Sequence, residues 1–130
     1  MSLFSTVSKG KAGEKFVCKF LKKKRYKIIQ VNMRNKYSEI DIIAENRDYI
    51  VFVEVKTRTS DFPIRPLEAV NSQKQQKIML AANYFMTCCY NTSKQPRFDV
   101  AEVFMTQKGK LKSINYIENA FIQGGNYAVL

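Results

Sequence analysis

One segment, Tyr49–Lys56, constrains the fold of this chain more than any other. It reads Tyr-Ile-Val-Phe-Val-Glu-Val-Lys, rich in β-branched and aromatic residues and apolar on both faces of a strand. Such a segment needs cover on both faces, as the central strand of a sheet between helices has. Near its end lie Glu54 and Lys56, two charges that a buried strand carries at a cost unless they are paired or bound.

The segments around this strand predict an α/β fold with the element order α-β-β-β-α-β-β. Apolar residues recur at helical spacing over Ser8–Lys24 and again over Ser72–Cys88. Thr57–Pro66, which contains Ser, Asp and two prolines, is expected to be a loop. We therefore expect a mixed sheet flanked by helices, in a single domain spanning residues 1–130. Strand character marks four further segments: Tyr26–Met33, Glu39–Ala44, Arg97–Met105 and Lys110–Ile117.

The net charge of the chain limits the classes of partner that it is expected to bind. Lys plus Arg number 22 against 11 Asp plus Glu, which gives a net charge of +11. So large a positive charge on a small domain favours a polyanionic partner, of which nucleic acid and acidic membrane surfaces are the usual ones. No apolar run approaches the roughly 18–20 residues of a spanning helix, and the N-terminal residues lack a secretory apolar core. We expect a cytoplasmic protein with no membrane association.

Residue types that the chain lacks exclude several kinds of site. It has no histidine, and its three cysteines, Cys18, Cys88 and Cys89, show no CxxC spacing. This excludes zinc fingers, histidine-based triads and a disulfide scaffold, and we expect all three thiols to be reduced. A bound metal would need oxygen ligands, which selects a hard ion such as Mg²⁺ or Mn²⁺.

The charges in two neighbouring strands form the candidate site. Period-two alternation places Glu54 and Lys56 on one face of their strand. With a turn on Asn46-Arg47, paired residue numbers sum to 93, which sets Asp41 opposite Phe52 and diagonal to Glu54 on the same face. A three-residue turn would instead place the two carboxylates on opposite faces.

The pattern D-x12-E-x-K fits a metal-dependent phosphodiesterase. A divalent ion would offset the repulsion between Asp41 and Glu54, polarise a phosphodiester and lower the pKa of a bound water. Lys56 would position that water or stabilise charge that develops on the phosphate. The alternative is a structural ion pair, either of Glu54 with Lys56 or of Asp41 with Arg58.

Glu14 is the candidate that the first helix contributes. We expect it either to face the same edge of the sheet, where it would join the metal or its water, or to pair on the helix surface with Lys11 or Lys15. The sequence leaves these two possibilities open.

Arg97 and Asp99 lie at the start of a later strand, and their simplest interpretation is a structural ion pair.

Basic and aromatic side chains supply candidate nucleic-acid contacts. Arg58 and Arg65 follow the central strand and are expected to bind phosphate. Gln73 and Lys74 begin the second helix, where they either grip a backbone phosphate or form a solvated first turn. The basic run 22–25 is more typical of a solvated helix end. Three tyrosines are able to stack on bases, although single tyrosines near strand ends more often pack against neighbours: Tyr37, Tyr49 and Tyr90.

These residues carry a resemblance to a known family. Glu14, Asp41 and Glu54-Val55-Lys56, in this order of elements, resemble the PD-(D/E)XK nuclease superfamily of restriction endonucleases and archaeal Holliday-junction resolvases. More narrowly, the chain resembles the YraN-like family of small bacterial proteins. Ser38 departs from the family pattern, which usually has glycine before Glu-Ile-Asp. The resemblance covers six segments in the same order: Gly13-Glu14, Glu39-Ile40-Asp41, Phe52–Arg58, Ala69-Val70 followed by Lys74, Arg97–Val100 and Glu118–Phe121.

The resemblance implies a restriction-endonuclease-like core and a role for each matching residue. It implies that Asp41 and Glu54 are metal ligands and that the backbone carbonyl of Val55 adds a third oxygen. It also implies that Lys56 is the catalytic lysine and that Glu14 is the helix carboxylate that resolvases use. We therefore expect a nuclease dependent on Mg²⁺ or Mn²⁺ that acts on DNA, branched DNA included, and by analogy with resolvases a homodimer. The alternatives are a non-catalytic nucleic-acid-binding module that keeps the fold, and a basic adaptor for an acidic protein or membrane surface.

Overall fold

The computed structural model describes residues 6–59 and 71–121, with side chains described from residue 10 onward. Within these ranges the chain forms helices and strands in the predicted order. None of the helices there is long and apolar enough to cross a membrane. The helices are α1 (Thr6–Lys23) and α2 (Ser72–Cys88), and the strands are β1 (Lys27–Arg34), β2 (Glu39–Glu45), β3 (Tyr49–Arg58), β4 (Gln95–Met105) and β5 (Leu111–Ile117).

The five strands form one mixed sheet in the order β1-β2-β3-β4-β5. β3 and β4 run parallel from the pair Tyr49 and Gln95 to the pair Arg58 and Phe104, and the other neighbouring strands are antiparallel. A parallel pair needs a crossover connection, and α2 lies in the segment of chain that joins these two strands. The predicted mixed sheet with helices is confirmed.

A separate apolar core covers each face of the sheet. Val17 and Leu21 of α1 pack on one face with residues of β2, β3 and β4, among them Val53. On the other face, Phe85 of α2 packs with Phe52 and its neighbours. Because adjacent residues of β3 are buried in opposite cores, this strand is covered on both sides, as its continuous apolar sequence predicts.

The β2–β3 turn is centred one residue later than predicted. Asn46 takes the first position of the turn, where its side-chain oxygen accepts hydrogen bonds from the amides of Asp48 (3.0 Å) and Tyr49 (2.8 Å). Its own amide donates to the carbonyl oxygen of Tyr49 (3.0 Å), which leaves Arg47 and Asp48 as the central residues. Asparagine is favoured at this first position because its side chain can bond to the backbone two residues on. The predicted turn on Asn46-Arg47 is therefore wrong.

This shift changes the register of the hairpin but not the faces of its strands. Ile43 pairs with Phe52, so paired residue numbers sum to 95 and not to 93. The predicted pairing of Asp41 with Phe52 is wrong by two residues, and a displacement by two leaves each residue of the paired segment Ile42–Glu45 on its predicted face. Continued one residue beyond its last pair, the observed register sets Asp41 directly against Glu54.

β3 also continues further than predicted. Thr57 and Arg58, which the sequence assigns to a loop, pair with Val103 and Phe104 in the parallel ladder with β4. A neighbouring strand of sufficient length extends the pairing through residues that carry no strong strand signal of their own. The predicted loop is therefore wrong at its first two residues, and most of it, residues 60–66, lies outside the described residues.

Candidate active site

β2 and β3 part at the edge of the sheet where the candidate carboxylates lie. The ladder between these two strands covers Ile42–Glu45 on β2. Beyond it, β2 stays paired with β1 as far as Glu39, whereas β3 stays paired with β4 as far as Arg58. The described part of the sheet therefore divides between its second and third strands, with Asp41 on one side of the gap and Glu54 on the other.

In this gap the carboxylate of Asp41 accepts a backbone hydrogen bond that a carbonyl oxygen of a paired strand would otherwise accept. Its Oδ2 accepts a hydrogen bond of 2.7 Å from the amide of Val55 on β3. Ile40 packs in the core on the α2 side and Ile42 in the core on the α1 side, so the alternation of faces is broken at the residue between them. This break explains why Asp41 reaches along the sheet to the backbone of the next strand.

Asn32 marks the same break on β1. It lies between two residues that pair with the neighbours of Asp41, so it occupies the position across from Asp41. Its φ of 55° is in the left-handed region, which is uncommon for a residue other than glycine. Its side chain lies close enough to the carboxylate of Glu14 to lower the pKa of that carboxyl, against the effect of burial. Sequence reasoning missed Asn32, since the only signal was the tolerance of asparagine for this backbone conformation.

A close contact between α1 and β3 brings Glu14 to the gap. A Cβ on Gly13 would lie 2.3 Å from Thr57 Oγ1, so only glycine allows the helix to approach this closely. Glu14, the next residue, is half-buried, and burial together with the charge of Asp41 raises its pKa. The structure thus places Glu14 at the sheet edge, the first of its two predicted locations.

Glu54 lies where its negative charge is disfavoured. Its side chain is 12% exposed, and Nζ of Lys74 on α2 lies 3.6 Å from its Oε2. Burial and the charge of Asp41 raise the pKa of Glu54 to about 7, against the attraction of Lys74 and Lys56. Burial also raises the pKa of Asp41, opposed by the hydrogen bond from the Val55 amide. The folded chain therefore holds two acids that a further cation would stabilise.

The direction in which each residue of the first turn of α2 faces determines whether it reaches the site. Asn71 caps the helix, and its side chain accepts a hydrogen bond of 2.8 Å from the amide of Lys74. Lys74 then reaches Glu54, Gln73 is exposed and Gln75 is buried. Gln75 was missed, although it begins the inward-facing helical series 75, 78, 82 and 85 that the apolar spacing defines.

The other predicted phosphate contacts lie at the end of β3. Arg58 is 30% exposed on its side chain, and its Nε lies 3.4 Å from Oε2 of the buried Glu102 on β4. Lys56 is half-buried and pairs in register with the same Glu102. Arg65 lies outside the described residues. Ser38 has no positive φ, so the backbone at this position does not require the glycine that is usual in the family.

Arg97 and Asp99 form a second buried charged cluster, on β4. Nη2 of Arg97 lies 2.8 Å from Oδ2 of Asp99, and its Nε lies 3.0 Å from Oδ1. Asp99 also accepts hydrogen bonds from the hydroxyl of Tyr116 (2.6 Å) and the amide of Asn119 (2.9 Å). Arg97 donates in addition to the hydroxyl of Tyr26 (2.6 Å). The predicted structural ion pair is confirmed.

The carboxylates at the gap fit a metal ion only with help from other oxygens. Within residues 6–59 and 71–121, no three acidic or cysteine side chains converge as the ligands of one ion. All three cysteines are free thiols, as predicted. An ion held by Asp41 and Glu54 would complete its coordination with backbone oxygen or water, which suits Mg²⁺ and Mn²⁺.

The fold and the site define a class of protein. It is a basic α/β domain in which acidic side chains and lysines gather where two central strands of a mixed sheet part. Residues 13–103 match the model of a family described as Uncharacterised protein family UPF0102. The chain belongs to this family, which confirms the predicted YraN-like membership, and the matched range includes every residue of the cluster from Glu14 to Lys74.

Relatives from three bacteria match over most of their length. A UPF0102 protein of Caldanaerobacter subterraneus subsp. tengcongensis is 46% identical over 113 residues, 86% of this chain and 93% of the relative. One from Alkaliphilus metalliredigens is 46% identical over 114 residues, 88% of this chain and 97% of the relative. One from Clostridium acetobutylicum is 44% identical over 112 residues, 86% of this chain and 92% of the relative. Their names state a family and no activity.

Proposed function

We propose that this chain is a metal-dependent nuclease that hydrolyses DNA phosphodiester bonds, with a restriction-endonuclease-like core of the PD-(D/E)XK type. The observation that carries the proposal is the pair of partly buried carboxylates, Asp41 and Glu54, at the gap between β2 and β3. Lys56 follows Glu54 by two residues, as in the superfamily pattern. The net charge of +11 adds a general attraction for a polyanion.

The carboxylate pair suits a hard divalent ion. Burial and mutual repulsion disfavour two negative charges at this point, and a dication offsets both effects. Asp41 and Glu54 would hold the ion, and the carbonyl of Val55 would add the third oxygen that the resemblance implies. Bound Mg²⁺ or Mn²⁺ would supply Lewis acidity toward the phosphate and lower the pKa of the attacking water. The amide of Val55 fixes the Asp41 carboxylate for this role.

The lysines and Glu14 have separate roles in this proposal. Lys56 and Lys74 lie close enough to lower the pKa of both strand carboxylates, so they place positive charge where phosphate oxygens would approach. Fixed positive charge at that position stabilises the charge that develops as the phosphodiester is attacked. Glu14, beside Asn32, would orient the water or accept its proton, a task for which a raised pKa is suited.

Cleavage of end-labelled DNA tests the proposal directly. Wild type, Asp41→Asn and Glu54→Gln are compared with Glu45→Gln, a matched control at the other end of β2. Each protein is incubated with junction, flap, duplex or single-stranded DNA in Mg²⁺, Mn²⁺ or EDTA, and DNA binding is measured in parallel. We expect wild type and the control to cut at least one substrate in metal only, and the two site variants to lose at least about a hundredfold in rate while still binding.

Two outcomes would overturn the proposal. Cleavage that persists in both site variants would move the reaction elsewhere on the chain. Metal-independent binding without cleavage of any substrate would favour the non-catalytic binding module. The expected homodimer stays a prediction, and light scattering with and without junction DNA would test it.

A further inference from the structure

The β1–β2 turn and the outer side of α2 carry an exposed aromatic surface that the proposed active site does not use. Tyr37 and Tyr84 meet edge to face, with ring centroids 5.9 Å apart. Nζ of Lys36 lies 5.2 Å from the centroid of Tyr37 and 5.6 Å from that of Tyr84. Leu80, one helical turn before Tyr84, is 49% exposed. These four residues are called the α2 platform below.

The α2 platform is partly exposed, with Tyr84 at the surface and Tyr37 half-buried, and its position is fixed. Lys36 is exposed, so its ammonium reaches both rings from the outside. Tyr37 packs from behind against the core on the α2 side. The side chain of Asn35 donates a hydrogen bond of 3.1 Å to the carbonyl oxygen of Ala81, which ties the turn to the helix without the rings. The α2 platform is therefore anchored, aromatic and positively charged.

The other two tyrosines that the sequence singled out have protein groups over their rings. The guanidinium of Arg97 lies 4.8 Å from the ring centroid of Tyr49. Tyr90 stacks on Phe85 with centroids 6.0 Å apart and donates its hydroxyl to Glu45 (2.8 Å). Of the three candidates, Tyr37 is the one that joins a second, exposed tyrosine ring under an exposed lysine.

The α2 platform lies along both elements that lead to the candidate active site. Tyr37 lies in the turn before β2, four residues ahead of Asp41, which spans at most about 13 Å at about 3.3 Å per residue. Tyr84 follows Lys74 by ten residues, about 15 Å of helix at about 1.5 Å per residue. At about 3.4 Å per stacked nucleotide, these lengths correspond to about four nucleotides of one strand.

We propose that the α2 platform stacks unpaired DNA bases about four nucleotides from the phosphate at the active site. The platform would thereby select DNA that has a single-stranded segment beside the cleavage position, an inference that rests on the proposed nuclease function. Stacking of this kind needs an accessible aromatic ring and nearby positive charge for the backbone, which the exposed Tyr84 and Lys36 supply. Bases inside an intact duplex are already stacked on each other, so they present no free face to it.

A tryptophan reporter measures the stacking itself. The chain contains no tryptophan, so Tyr84→Trp introduces a single indole. Tyr49→Trp is the matched control, because both tyrosines are 36% exposed and Arg97 covers the ring of Tyr49. Both are made in the Asp41→Asn background and titrated in EDTA, so that no DNA is cut. We expect single-stranded and forked DNA to quench Tyr84→Trp, blunt duplex to leave it unchanged, and the control to respond to none of them.

Affinity measurements with Tyr84→Ala and Tyr84→Phe complete the test. We expect Tyr84→Ala to lose about tenfold or more in affinity for single-stranded DNA and less than about twofold for blunt duplex, and Tyr84→Phe to bind both as wild type does. Thermal denaturation confirms that each variant is folded. Equal losses of affinity for single-stranded and duplex DNA, or equal quenching of the Tyr49→Trp control, would contradict base stacking on the α2 platform. Neither result would contradict the proposed nuclease function. Failure of the wild type to bind any DNA would overturn both proposals.

Discussion

Asp99 and Asp41 are acids of the same sheet with opposite surroundings. Asp99 is fully buried, yet it accepts hydrogen bonds from the guanidinium of Arg97, a tyrosine hydroxyl and a backbone amide. Asp41 accepts a hydrogen bond from the amide of Val55 and lies beside a second carboxylate, Glu54. The first acid is paired by its own fold, whereas the second is left with repulsion that the described side chains only partly offset.

The difference separates structural charge from functional charge. A buried ion pair whose hydrogen bonds are complete holds elements together and has no need of a ligand. Acids that keep raised pKa values in a gap of the sheet are typical of sites that await a cation or a substrate. Substitutions in the two clusters should therefore have opposite effects on stability. The predictions that follow test this contrast, in order of decreasing expected effect.

The largest effect on stability is expected at Asp99. Asp99→Asn leaves the buried guanidinium of Arg97 without its buried charged partner and with only the exposed Glu118 nearby, which should lower the free energy of unfolding by about 3–5 kcal/mol. Asp41→Asn removes a disfavoured charge and should leave that free energy unchanged or raise it. Urea unfolding of both variants measures the contrast, and a comparable loss from both substitutions would erase the distinction between the clusters.

The pH dependence of stability should come next in size. The pKa of Glu54 is raised from 4.5 to about 7, so the folded state holds this proton more tightly than the unfolded state. Stability should therefore fall as pH rises from about 4.5 to about 7, by up to about 3 kcal/mol at about 1.36 kcal/mol per pH unit. Glu54→Gln should remove this part of the fall, as denaturant midpoints across the pH range would reveal. Superimposable profiles of the two proteins would contradict the raised pKa.

A third prediction concerns the close contact that brings Glu14 to the gap. Gly13→Ala forces its new methyl group against Thr57 Oγ1 and should cost about 1–3 kcal/mol, even though alanine is the better helix former. Thr57→Ala in the same chain removes the clashing oxygen and should restore the stability. Thermal denaturation of the two single variants and the double variant measures this coupling, and additive effects would show that the contact is not tight.

The smallest effect is expected at Asn32. Asn32→Gly keeps the left-handed backbone, so the free energy of unfolding should change by less than about 1 kcal/mol. Because the side chain of Asn32 lowers the pKa of Glu14, losing it should raise that pKa further. Carboxyl NMR titration of Glu14 detects this change. An unaltered titration would mean that Asn32 does not act on the carboxylate.

Local pattern was enough to predict the elements of this fold but not the register between them. α2 begins and ends at the predicted residues, because its apolar spacing and capping signals agree. The β2–β3 register was wrong because Asn46 accepts backbone hydrogen bonds that move the turn by one residue. Alternation of apolar residues does not detect such a move, since a shift by two leaves every side chain on its face.

The composition of the candidate site was likewise predictable, and its geometry was not. The spacing of Asp41 and Glu54 pointed to one face of one hairpin. The parting of β2 and β3 depends on which strand each keeps as a partner, which the two segments do not encode by themselves. The reach of Lys74 and the left-handed turn at Asn32 depend on contacts between elements far apart in the chain.

The amide of Val55 makes the gap in the sheet observable by spectroscopy. Its proton is bonded to a carboxylate, whose charge changes with protonation and with cation binding, whereas the carbonyl acceptors of the ladder do not titrate. The chemical shift of this amide and its exchange with deuterated solvent therefore follow the charge at the site. One backbone resonance can thus monitor the candidate active site without a substrate or an assay of activity.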